Sequence, residues 1–99
     1  MSQDSDKIYE ELSARRTKRL EELKESIVSA NEEAMLVDGH DDALAGYDTQ
    51  GRAIYLVDAI IGRLMQRDGM TYEEAVEFFD FNIAGAYVGE YTPIYMYEE

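Results

Sequence analysis

The chain of 99 residues has no cysteine, no tryptophan, one proline and one histidine. Without cysteine there is no disulfide, no thiolate metal site and no thiol nucleophile, which agrees with a reducing compartment. His40 is the sole imidazole, and the five serines (Ser2, Ser5, Ser13, Ser26, Ser29) all lie in the amino-terminal third, away from it in sequence. A phosphate loop is missing too, because Gly85-x-x-x-Gly89 lacks the lysine and the strand-to-helix setting. No apolar run approaches the roughly 18 residues of a membrane span. The first 30 residues are too charged for a secretory signal. These absences lead us to expect a cytoplasmic, non-enzymatic protein with no cofactor and no membrane partner. His40 with Asp38, Asp41 and Asp42 is the one cluster resembling a metal site; it lacks a second histidine and fixed ligand spacing, so no metal is expected.

Basic side chains are also scarce. Nine Lys and Arg stand against 22 Asp and Glu, a formal net charge of −13. The shortage is local as well: Glu25 to Gln50 holds seven acids and no base, and Thr71 to Glu99 again holds seven and none. All the bases fall between Lys7 and Lys24 or between Arg52 and Arg67. Such a surface repels nucleic acid and anionic membrane and attracts basic surfaces of other proteins at rates that fall as salt rises. The cluster Arg15, Arg16, Lys18 and Arg19 is too short and too interleaved with glutamate to bind nucleic acid against that charge. It reads as an intramolecular or intersubunit counterpart to the acids.

The length fits one domain with a thin core. From about Ser5 to Ala34 the chain has neither Pro nor Gly and carries Lys7 with Glu11, and Glu11 with Arg15, at i,i+4, which predicts one long helix. Asp48-Thr49-Gln50-Gly51 between Ala43–Tyr47 and Arg52–Leu56 predicts a β-hairpin. Asp58 is the expected cap of a helix with Val57, Ile60, Ile61, Leu64 and Met65 on one face, ended by Gly69. Thr71-x-x-Glu74 is a capping box that opens a third helix, with Ala75, Val76, Phe79 and Ile83 inward. Pro93 leads into a last strand, Ile94–Tyr97, on which Tyr91, Tyr95 and Tyr97 tend to one face. The expected fold class is therefore α+β, with the last strand completing a three-stranded antiparallel sheet. Residues 1–36 form a helical arm and residues 37–99 a small α+β domain, one compact unit overall.

Two candidate surfaces follow. The outer row of the third helix, Glu73, Glu74, Glu77 and Asp80, is the expected partner-binding face. Phe81 joins it if the helix continues past Asp80, as an apolar ring among carboxylates of the kind that anchors interfaces; if the helix stops there, Phe81 turns into the core. On the first helix, Leu20, Leu23 and Ile27 step by 3 and 4 and offer an oligomerisation stripe as an alternative to docking on their own domain. The partner classes are thus a protein with a basic surface and, through the stripe, a second copy assembling a structural or scaffolding module.

The runs Arg67-Asp68-Gly69-Met70-Thr71, Glu73-Glu74-Ala75, Phe81 to Glu90 and Thr92-Pro93-Ile94, with the earlier Asp42 to Tyr47 and Arg52 to Tyr55, resemble a group of small tailed-phage and prophage proteins. The resemblance covers residues 40–97 and leaves the first helix outside. It implies a phage setting, the host cytoplasm and an α+β domain, and it transfers no catalytic residue. Small acidic phage proteins often inhibit host defence or host nucleic-acid enzymes, some by imitating the charge of DNA, so the resemblance implies an inhibitor or modulator of that kind.

Overall fold

Helix α1 runs from Ser2–Ala30 in the computed structural model, which describes residues 2–87 and 89–98. Val88 and Glu99, counted in the patterns above, lie outside the described residues, as do the side chains of Ser2, Ser5 and Ser13. The helix stops four residues short of the expected Ala34. The Asn31 amide still reaches the Ile27 carbonyl at 2.9 Å, but the Asn31 side chain accepts from the Glu33 amide at 2.9 Å and donates to the Gln50 carbonyl at 3.2 Å. An asparagine that offers the backbone a local alternative of this sort ends helices.

After a single 3₁₀ turn at Asp41–Ala43, strands β1 (Leu44–Tyr47) and β2 (Ala53–Leu56) pair antiparallel as the predicted hairpin. Asp48 organises the loop between them. Its carboxylate accepts from the Gln50 amide at 2.9 Å, the Arg52 amide at 2.8 Å and the Arg52 guanidinium at 2.7 Å. Burial raises the Asp48 carboxyl, and the hydrogen bonds from Arg52 and Gln50 outweigh it, leaving the group below its ordinary range. Gly51 sits at φ +82, and a Cβ there would lie 2.5 Å from the Asn31 Cβ, so the loop can dock on the end of α1 only as glycine.

Helix α2 (Val57–Asp68) leaves β2 without a break; Leu56 occupies the cap position with no side-chain bond, and Asp58 lies inside the first turn rather than capping it. An acid there still complements the helix dipole. Gly69, at φ 67, closes the helix as predicted. Helix α3 (Tyr72–Phe78) opens on the predicted capping box, the Thr71 hydroxyl accepting from the Glu74 amide at 3.2 Å and Glu74 Oε1 accepting from the Thr71 amide at 3.0 Å.

The last strand, β3 (Ile94–Met96), corrects the antiparallel expectation. The sheet is mixed, in the order β1-β2-β3, and β3 runs parallel to β2 with Tyr55 beside Tyr95. A parallel neighbour requires a long crossover, and residues 57–93, with α2 and α3, supply it. The protein is thus α+β, with three helices and a three-stranded mixed sheet.

The core collects Ile27, Val37, Tyr55, Ile60, Leu64, Ala75, Phe79 and Ile83, so it draws on both sides of the expected boundary at residue 36. The fully buried Tyr55 accepts from the Val37 amide at 2.8 Å. Tyr95 meets Phe79 edge-on at 5.2 Å, while Tyr97 is exposed, which splits the expected tyrosine face. The radius of gyration, 15.3 Å, exceeds the roughly 13 Å of a compact chain this long. The excess comes from the amino-terminal part of α1, whose described side chains from Lys7 to Arg19 are exposed.

Candidate protein-binding face

Past Phe78 the third helix does not stop; it widens. The segment Phe79–Ala84 is a π-helical turn, closed by the Gly85 amide on the Asp80 carbonyl at 3.1 Å, five residues back. A Cβ on Gly85 would stand 3.1 Å from the Asp80 carbonyl oxygen and 3.3 Å from that of Phe81, so glycine lets the turn close. Phe79 and Ile83 stay in the core while Phe81 is turned outward and is 73% exposed. Such single π turns recur at functional sites because they re-aim side chains without ending a helix.

Phe81 lines a groove of about 320 Å³ with Met70, Glu74, Glu77, Phe78 and Asn82. Of the four predicted carboxylates, Glu74 and Glu77 are in its wall; Glu73 and Asp80 are exposed on the same segment outside it. The Thr71 amide, and after it the Thr71 side chain, hold the Glu74 carboxyl below its ordinary range, so it remains charged while serving as a cap. Met70, Phe78 and Asn82 are groove residues that sequence reasoning did not assign. Phe78 was the recoverable one, since Phe79 alone fits the inward spacing from Ala75 and leaves its neighbour outside.

The acids divide by what neutralises them. Asp41 pairs with Lys24 at 3.0 Å, Asp42 with Arg63 at 2.9 Å and Arg16 at 3.6 Å, Asp48 with Arg52 at 2.7 Å and Asp68 with Arg67 at 3.3 Å. Among the described residues Glu73, Glu74, Glu77 and Asp80 have no basic partner within 4.0 Å. Five of the nine basic side chains are thus engaged with Asp41, Asp42, Asp48 and Asp68, and none of them with the α3 face.

Of the His40 cluster, Asp41 and Asp42 are engaged by Lys24, Arg63 and Arg16, while Asp38 lines the same cavity as His40. His40 itself is buried in the wall of a second cavity of about 250 Å³, together with Arg67, Asp68, Phe78, Asn82 and Tyr87. Its Nδ1 has no hydrogen-bond partner among the described residues. Burial first, then the nearby Arg67 and Arg63, lower its pKa, with Asp68 opposing, so the ring is neutral. Phe78 and Asn82 line both cavities.

The proposed oligomerisation stripe is corrected at Ile27, which is 0% exposed in the chain's own core. An amphipathic stripe docks on the nearest apolar surface, here its own domain. Leu23 packs against the same core, and Leu20 is half-buried beside it. Compared with protein-family models, with curated proteins and with solved structures, the chain gives no match.

Proposed function

We propose that this is a non-enzymatic, acidic interaction protein that binds a basic surface of a host or phage protein through Glu73, Glu74, Glu77, Asp80 and Phe81. The observation that carries the reading is the face itself: Glu74 and Glu77 share a groove with the exposed Phe81, Glu73 and Asp80 stand exposed on the same segment, and among the described residues none of the four has a basic partner within 4.0 Å, unlike Asp41, Asp42, Asp48 and Asp68. The groove suits the side chain of an arginine or lysine, whose alkyl stem can lie on Phe78, Phe81 and Met70 while its cation meets Glu74 and Glu77. The phage setting, and with it an anti-defence role by DNA-like charge, is supported by the resemblance of residues 40–97 alone. A pure charge mimic has no use for Phe81, whereas an anchored protein interface does.

The test uses an arginine-rich peptide as probe. Replacing the face (Glu73→Gln, Glu74→Gln, Glu77→Gln, Asp80→Asn) should weaken binding about tenfold or more. Neutralising four acids elsewhere (Glu21, Glu22, Glu25, Glu32) should weaken it far less. Equal losses in the two variants would show that net charge alone binds the peptide and would remove the site. Phe81→Ala should weaken binding at high salt as well as low, because its contact is not screened.

A further inference from the structure

The amino-terminal part of α1 overhangs the domain and carries apolar side chains with nothing of their own chain to cover them. Ile8 is 57% and Leu12 is 56% exposed. At about 100° per residue, Ile8, Leu12, Leu20, Leu23 and Ile27 fall within an arc of about 120°. The exposed pair therefore continues the stripe that docks in cis further along. Where docking begins, a cleft of about 210 Å³ lies between α1 and the start of β1, lined by Arg16, Arg19, Leu20, Leu23, Leu44 and Ala45, with Asp42 at its edge.

We propose that a second copy of this chain fills that cleft, two α1 arms crossing antiparallel about a two-fold axis so that Ile8 and Leu12 of each enter the cleft of the other. Charge selects the direction. Arg16 and Arg19 lie on the same arc, so a parallel, in-register pair would stack Arg16 on Arg16 and Arg19 on Arg19. In the antiparallel pair Ile8 lies over Leu20, and Leu12 lies against the stem of Arg16, whose guanidinium is already drawn aside to Asp42 at 3.6 Å. On the flank of the arc, Glu11 of each arm faces Arg15 of the other. Neither residue has an ion pair within its own chain among the described residues. The same surface serves both copies, so the contact closes at two. This surface is separate from the α3 face, and a dimer leaves that face open.

Sedimentation equilibrium of the full chain tests it. The wild type should be a dimer at about 100 µM and dissociate on dilution, since few side chains carry the contact. Ile8→Glu with Leu12→Glu should give a monomer whose urea unfolding matches that of the wild type at dilutions where the wild type is itself monomeric, because neither residue is in the core. Glu11→Arg and Arg15→Glu should each weaken the dimer, and the two together should restore it. A wild-type monomer at that concentration, a dimer indifferent to the Ile8 and Leu12 changes, or a charge swap that fails to restore association would overturn the proposal.

Discussion

Tyr55 shows how one atom can tie two parts of the core together. Its hydroxyl accepts from the Val37 amide deep in the domain, so Tyr55→Phe leaves a buried N–H with no acceptor. The expected loss is about 1–3 kcal/mol in urea unfolding. The same burial sets a pH limit. Tyr55 and Tyr95 are both pushed up to about 12 from 10.0, in each case first by burial. A raised pKa means the folded state holds its phenolic protons where the unfolded chain releases them. Their contribution is complete below about pH 10 and is lost as the pH climbs toward 12. Unfolding midpoints should therefore fall between about pH 10 and pH 12, and fall less in Tyr55→Phe.

At the scale of elements, junctions decide more than the elements do. The hairpin loop meets the end of α1 at Gly51, where a left-handed φ and a 2.5 Å approach to Asn31 coincide. Gly51→Ala should cost at least about 2 kcal/mol, more than alanine costs at a glycine with open space around it. At the start of α3, Thr71→Ala should cost about 1 kcal/mol through the lost cap. Glu74→Gln keeps an acceptor oxygen for the Thr71 amide and removes only the charge. Its stability should barely change while peptide binding falls, so comparing the two by unfolding and by titration separates capping from recognition. The capping box, the Gly69 stop and the hairpin were legible because each is a local hydrogen-bond pattern written in adjacent residues. The π turn was not, since its widening depends on keeping Phe79 and Ile83 in the core while Gly85 closes on Asp80.

For the whole molecule, a net charge of −13 works against compactness and in favour of a basic partner, so salt should act on the two in opposite directions. Raising it from about 20 to 500 mM should raise the melting temperature by a few degrees and weaken the arginine-rich peptide, measured by calorimetry on one sample series. Partition of that charge among the acids is a tertiary property. In sequence, Asp41 and Asp42 stand in a stretch without bases, as Glu73 and Glu77 do; folding brings Lys24, Arg16 and Arg63 to the first pair and, among the described residues, no base to the second. Strand direction is another such property, because three residues of β3 pair as readily either way and only the crossover through α2 and α3 chooses. Ile27 belongs with these, its stripe being apolar whether it meets its own domain or another copy. By itself the sequence determined the three helices, the Gly69 stop, the capping box, the hairpin and the sign of the surface, all of which depend on residues within a few positions of one another. Which acids stay unpaired, which way β3 runs and where Phe81 points were decided only by the tertiary structure, because each depends on groups that meet across tens of residues.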